Sequence, residues 1–501
     1  MSGAVVVNRV LRDFYLDSIA LMRLSTELAA TPGIIEAALM IGSIANKRLL
    51  ADSGMLAGDG EGAGASDLIL AVRATDGRAA ITALDIAIDR LARMPVSAGP
   101  GGGVWRPQSM RTAMATLSDV NMALISVPGE FAVAEARKAI SLGLNTMIFS
   151  DNITLADERS LKELARARDL LVMGPDCGTA LIGGVPLAFA NEVPRGDIGI
   201  VAASGTGLQE VSCLIARHGR GVSHGIGVGG RDLSNEVGAI STLTALDLLE
   251  GDPATRCVVL ISKPPAPEVA RRVFDRVARC GKPATICFLG GVPIQTGSGV
   301  RFASTLRAAA AQVLGTDLDT FDVASAIRRT RRGDRPSARR IVGLYCGGTL
   351  CTEAQVVMAQ RGIVARSNAP LPGRRDVSVD GHEMIDLGAD EFTRSRPHPM
   401  IDPFPRAEAI SRAMADSTIA VVLLDVVLGY GAHTDPAGAV VAALGKAGDR
   451  GPVVVASVIG TNGDPQRYDD QVARLEAAGV AVAPSNADAT ALALALIGAS
   501  R

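Results

Sequence analysis

Two segments of this chain read as an apolar strand that passes through a turn of small residues directly into a helix, an order that commits both to α/β architecture. The first is Ile198–Ala203, then Ser204-Gly205-Thr206-Gly207, then Leu208–Val211. The second is Ile341–Tyr345, then Cys346-Gly347-Gly348-Thr349, then Leu350–Ala354. A helix opening straight after a strand leaves its first backbone N–H groups aimed at one spot, where the macrodipole adds roughly half a positive charge. Such a spot suits phosphate or carboxylate. The repetition predicts a paired anion site.

Composition agrees with parallel sheets. Only 3% of residues are aromatic while 48% are hydrophobic, the profile of strands packed by Val, Ile, Leu and Ala under helices. A length of 501 residues predicts about three domains. A formal net charge of −2 and the scarcity of aromatics argue against nucleic acid as a partner. The seven cysteines form no CxxC pair and no zinc-like spacing with histidine, so no metal is expected and a reducing cytoplasm is. No signal peptide is read at the start. The apolar run 419–428, interrupted by Asp425, is too short to span a bilayer.

Periodicity predicts strands at Ala4–Leu11, Ile34–Ile41 and Asp67–Arg73 and helices at Asp17–Ala30 and Ile81–Leu91. That order suggests a small ferredoxin-like or ACT-like α+β domain over 1–93. A Gly/Pro-rich linker follows at 94–107. Strands at 121–127, 145–150 and 170–173, with helices at 131–142 and 155–167, make a βαβαβ unit over 113–190 that lacks a GxGxxG fingerprint. The alternation repeats over 191–327 and 341–501, on either side of an arginine-rich linker at 328–340.

Val172-Met-Gly-Pro-Asp-Cys177-Gly-Thr, the Ser204–Gly207 turn and Gly225-Ile-Gly-Val-Gly-Gly-Arg-Asp232 resemble the α subunit of succinyl-CoA synthetase. With Ile261-Ser-Lys-Pro-Pro265, Arg396-Pro-His-Pro-Met-Ile-Asp-Pro403 and Asp425–His433, the chain is similar to the FdrA family. The resemblance implies a CoA-binding Rossmann-like unit over 113–190 and two flavodoxin-like domains, 191–327 and 341–501, the latter matching the carboxyl domain of the synthetase β subunit. It implies that the two helix starts face one ligand. Where the synthetase carries its phosphohistidine, Gly290–Gly299 contains no histidine, and no stretch remains for an ATP-grasp domain. Both departures count against ATP-driven acyl-CoA synthesis by the usual route.

The FdrA resemblance further implies a component of an oxamate carbamoyltransferase in purine and allantoin breakdown, homo-oligomeric and working with other carbamoyltransferase subunits. Its ligands would be carbamoyl phosphate or phosphate and a small carboxylate or amide. A CoA-dependent acyltransferase or synthetase, with CoA as cofactor, and a non-catalytic acyl-phosphate scaffold are the alternatives. Ser204, Gly205, Thr206 and Gly207 would hold phosphate at one helix; Gly347, Gly348 and Thr349 would hold phosphate or the carbamoyl oxygen at the other. Arg231 either clamps an anion or pairs with Asp232 or Glu236. Lys263 is a phosphate contact or an ordinary surface lysine. Catalysis would fall to Arg396, His398 and His433, on loops where histidine suits acid–base chemistry near neutral pH or simply bonds a turn. Cys177 and Cys346 are nucleophiles only if their thiols are activated, and packed small residues otherwise.

Overall fold

Apolar residues alternate or run unbroken through each predicted strand, and the strands assemble into four sheets. The computed structural model of the chain describes residues 4–14, 16, 18–93, 107, 109–117, 119–291, 299–318, 320–329, 339–372, 381–393, 397–445 and 451–498. Two units result: Met1–Arg106 with Asp390–Asp402, and Pro107–Ala389 with Pro403–Arg501. Most of the linker at 94–107 and of the arginine-rich stretch lies outside the described residues.

The first unit contains β1 (Val5–Leu11), α1 (Ser18–Ala29), β2 (Ile34–Ile41), α2 (Ile44–Asp52), β3 (Leu68–Ala74) and α3 (Gly77–Arg93). Its antiparallel sheet has the order β1-β3-β2, the split βαβ arrangement of ferredoxin-like domains. Helical spacing places Leu21, Leu24 and Leu28 of α1 on one stripe. With Leu84 and Leu91 of α3 they bury against Leu68, Leu70 and Val72. The helix α2 goes unread in the periodicity. Ser43 caps it by accepting from the Asn46 N–H, and Leu50 packs with Met55 and Ile69 in a second cluster.

In the second unit α4 (Met110–Thr116), β4 (Met122–Ile125), α5 (Gly129–Ser141), β5 (Asn145–Ile148), α6 (Leu155–Arg166) and β6 (Val172–Met173) form the βαβαβ module, its sheet parallel in the order β4-β5-β6. Next come β7 (Thr179–Ile182), β8 (Val185–Ala188), β9 (Arg195–Ala202), α7 (Gly205–Arg217), β10 (Val222–Gly227), α8 (Ile240–Gly251), β11 (Cys257–Ser262), α9 (Pro267–Ala278), β12 (Ala284–Phe288), β13 (Val300–Phe302), α10 (Leu306–Leu314) and α11 (Val323–Arg329). Their sheet runs β13-β12-β11-β9-β10-β7-β8. The boundary expected at 190 is therefore corrected: the 179–188 hairpin belongs to the second sheet, where Leu181 and Ile182 pair with Gly225 and His224.

The last module comprises β14 (Arg340–Tyr345), α12 (Gly348–Ala359), β15 (Glu383–Asp386), α13 (Asp390–Thr393), α14 (Phe404–Ala415), β16 (Ile419–Val427), α15 (Pro436–Leu444), β17 (Val453–Ile459), α16 (Tyr468–Ala477), β18 (Ala481–Ala483) and α17 (Asn486–Leu496). Its sheet is parallel, ordered β15-β14-β16-β17-β18. The Asp390–Asp402 stretch groups with the first unit, so the expected 341–501 domain is interrupted. Helix α12 buries every residue from Thr349 to Met358 because it packs between α7 and α17. Among the described residues no helix is long and apolar enough to cross a membrane.

Candidate functional site

The two strand–turn–helix segments meet. Ser204 ends β9 and caps α7, its Oγ accepting from the Gly207 N–H at 2.9 Å. Gly347 occupies the same place before α12. The contacts between the turns are reciprocal: Thr349 Oγ1 lies 2.5 Å from Ser204 Oγ, and a Cβ on Gly347 would sit 2.8 Å from the Thr206 methyl. Each threonine thus reaches the cap residue of the other helix, a pseudo-twofold junction. Glycine is required at 347 because the threonine fills the space a side chain would need. Ser204 and Gly205 remain half-buried at the mouth while Thr206 and Thr349 are buried.

The turns are not equivalent electrically. The Asp425 carboxylate lies inside the second turn, accepting from the Cys346 N–H at 2.8 Å and the Gly347 N–H at 2.8 Å. Arg406 Nη2 bonds Asp425 Oδ1 at 3.0 Å, and Nη1 reaches Cys346 Sγ at 2.9 Å. A second carboxylate, Asp386, stands where a Cβ of Gly348 would be, 2.4 Å from Oδ2. The expectation that Gly347 donates to a ligand is corrected: its N–H is spent on an internal anion. At the first turn no acid intrudes, and the N–H groups of Gly205 and Thr206 have no partner among the described residues. The Gly348 and Thr349 N–H groups of α12 are likewise without a partner among the described residues, so the two turns differ in the carboxylates that stand at the second and not in the number of free donors.

Behind the junction stand two glutamates, each six residues beyond its cap: Glu210 on α7 and Glu353 on α12. Both are buried. Asn486, at the start of α17, donates its N–H to Glu210 Oε1 at 3.1 Å and its Nδ2 to Glu353 Oε2 at 2.8 Å. Burial pushes the Glu210 carboxyl above the usual carboxylate range, and burial with the neighbouring Glu210 charge does the same to Glu353. The matched spacing of glutamate after each turn is the signal that sequence reasoning passed over.

The remaining candidates are dispersed. Arg231 Nη2 is 2.9 Å from Glu158 Oε2 and donates to the Ile153 carbonyl, at the edge of a buried network in which Lys162 bonds Glu158, Asp232 and the Val228 carbonyl. Its partner is Glu158, not Asp232 or Glu236. Lys263 is an exposed residue just beyond β11, next to the strand end where Ile261 O accepts from the Ala203 N–H. His433 Nδ1 accepts from the Asp435 N–H at 3.1 Å, ahead of α15. His398 lies in the first unit; its Nδ1 accepts from the Met400 N–H at 3.3 Å, and burial pulls its pKa down to about 4, leaving it neutral at pH 7. Arg396 lies outside the described residues, as do 292–298 of the loop lacking histidine. Burial pushes Cys177 and Cys346 up to about 12, so both are protonated packing residues.

A model of the CoA-ligase family matches residues 344–496. A model described as the AllF heavy metal-associated domain matches 3–103. The uncharacterized protein YahF of Escherichia coli K12 is 39% identical over 498 residues, covering 96% of each chain. The chain belongs to the YahF family. Within this succinyl-CoA-synthetase-like family, the succinate–CoA ligase [ADP-forming] α subunit of Methanothermobacter thermautotrophicus is 27% identical over 44% of this chain and 73% of its own. The ADP-forming sulfoacetate-CoA ligase subunit SauD of Bilophila wadsworthia is 27% identical over 28% of this chain and 50% of its own. These relatives overturn the carbamoyltransferase expectation, since the named activities are CoA ligations, and with it the carbamoyl phosphate ligand. The CoA-ligase match points to CoA as substrate. The heavy-metal reading does not fit the residues present: 3–103 contains neither cysteine nor histidine, the donors a soft metal needs. Among the described residues no cluster of His, Cys, Asp or Glu could hold a metal ion.

Proposed function

We propose that this chain is a CoA-ligase-type subunit that passes an acyl group of a small carboxylic acid between phosphate and CoA, with the phosphate held at the start of α7. The reading rests on one observation, the half-buried mouth at Ser204–Gly205 with two unpartnered N–H groups, set against a second turn already neutralised by Asp425. In the forward direction the CoA sulfur, its proton released to solvent, attacks the carbonyl carbon of an acyl phosphate. The C–O bond to phosphate breaks, and phosphate leaves with the electron pair. Fixed N–H donors suit the growing charge on that leaving group, because they need no reorganisation during the reaction. CoA is assigned to the C-terminal edge of the β4-β5-β6 sheet, where open α/β sheets receive ligands. Gly290–Gly299 offers no histidine to phosphorylate, so the acyl phosphate meets CoA directly.

The test supplies acetyl phosphate or succinyl phosphate with CoA to the full chain and follows thioester formation. Gly205→Pro deletes one N–H at the first helical position, where proline's backbone fits, after a residue already extended at φ −160°, ψ 121°. Because its Cβ would meet Thr179 Oγ1 at 2.9 Å, Gly205→Ala, which makes the same contact and keeps the N–H, is the control. Gly205→Pro is expected to weaken phosphate binding in calorimetry about 10–100-fold, the worth of one hydrogen bond to a charged group, and to slow thioester formation. Thioester formation unaffected by Gly205→Pro, or none with either acyl phosphate, would sink the reading.

A further inference from the structure

We propose that Glu210 and Glu353, bridged by Asn486, carry a single negative charge between them at neutral pH, and that this buried carboxyl pair makes the packing between the two flavodoxin-like sheets sensitive to pH. The inference stands apart from the acyl-transfer reading, because its evidence and its test concern stability rather than turnover.

The hydrogen bonds place the proton. Glu353 uses both oxygens as acceptors, Oε1 from the Leu306 N–H at 2.6 Å and Oε2 from Asn486 Nδ2 at 2.8 Å. Glu210 uses one, Oε1, from the Asn486 N–H. Glu210 Oε2 and Asn486 Oδ1 are buried acceptors with no donor among the described residues. No lysine or arginine side chain bonds either carboxyl among those residues. Two carboxylates buried without a bonded cation are costly, and a proton on one removes most of that cost. The hydrogen bonds favour the charge on Glu353, which accepts from Asn486 Nδ2 and from the Leu306 and Arg307 N–H groups, and the proton on Glu210, whose Oε2 accepts from none among the described residues.

The surrounding charges leave this balance standing. Arg217 of α7 attracts the Glu210 anion, but its Nη2 is spent on the Pro484 carbonyl and its guanidinium stacks 4.5 Å over the Tyr468 ring. Arg307 of α10 is paired with Asp488 at 2.9 Å. Asp488 and Asp425 add negative charge against Glu210. Burial pushes the nearby Tyr345, Tyr468, Cys213 and Cys287 upward, so they stay neutral through the range in which the pair titrates. Because the folded pair holds its proton to higher pH than free glutamates do, the folded state binds more protons than the unfolded one above pH ~4.5, and stability falls as pH rises from there through the pair's raised folded-state pKa.

The experiment is calorimetry of the full chain at pH 6 and pH 9, with infrared detection of protonated carboxyl groups. In the wild type the transition of the second unit is expected to drop by roughly 2–5 °C at pH 9, and the protonated-carboxyl band present at pH 6 to fade. Glu210→Gln keeps a neutral group at the bare oxygen, so it should fold, lose that band and lose at least half of the pH-dependent drop. Glu353→Gln turns an acceptor into a donor facing a donor and should be less stable at both pH values. A Glu210→Gln protein with the wild-type drop overturns the proposal. So does a wild type with no protonated-carboxyl band at pH 6, which needs no variant to fold.

Discussion

A lysine without exposed surface is tolerated here because three acceptors surround its ammonium. Lys162 bonds Glu158 and Asp232 at 2.8 Å each and the Val228 carbonyl at 3.0 Å, while Asp232 also accepts from the Ser241 and Thr242 N–H groups. Removing Lys162 leaves Asp232 buried without a cation and Glu158 with Arg231 as its only charged partner among the described residues. Lys162→Met is expected to cost about 3–5 kcal/mol, measured by denaturant unfolding. Arg231, whose side chain is 42% exposed, should cost no more than about 1 kcal/mol on truncation to alanine. The sequence shows Arg231 and Asp232 as a polar end to a glycine-rich segment, but not Glu158 and Lys162, which lie on a helix some seventy positions earlier. Partners at that separation are chosen by packing. The same holds for Asp425, which reads as a break in an apolar run and proves to be the anion inside a turn 78 residues away.

At the scale of elements, the two turns were the most legible part of the chain, since small residues between an apolar strand and a helix leave few other conformations. Their meeting is tertiary. Gly347→Ala would bring a methyl within 2.8 Å of Thr206 Cγ2 and should destabilise the junction by about 1–3 kcal/mol, the range for overpacking. Adding Thr206→Ala should recover part of that loss, and a double-mutant cycle in thermal unfolding measures the coupling. Additive effects would show that the turns do not touch. The hairpin β7–β8 and helix α2 both escaped periodicity because they are short: the hairpin strands are four residues each, and α2 has nine residues, with Asn46, Lys47 and Arg48 interrupting its apolar ends.

At the scale of the molecule, both units hold carboxyls lowered by hydrogen bonds, and the second adds the raised Glu210–Glu353 pair. In the first, the Gly64 and Asp13 N–H groups hold the Asp67 carboxyl below its ordinary value. A lowered folded-state pKa adds stability that is present above about pH 4 and lost as pH falls through the folded value. The second unit, with its raised carboxyl pair, loses stability toward alkali. Calorimetry across pH should therefore show the second transition falling toward alkali through the range in which its carboxyl pair titrates, and Asp67→Asn should flatten the acid limb of the first transition while leaving the second unchanged.

By itself the sequence determined the succession of strands and helices, the parallel sheets and the two small-residue turns, because each follows from local periodicity and from backbone groups that neighbouring residues must satisfy. Only the tertiary structure decided that Asp425 and Asp386 stand at the second turn, that the two turns meet, and that Glu210 and Glu353 lie on either side of Asn486. Those outcomes depend on burial and on contacts between distant segments. A charge in the sequence has no cost until packing removes its water.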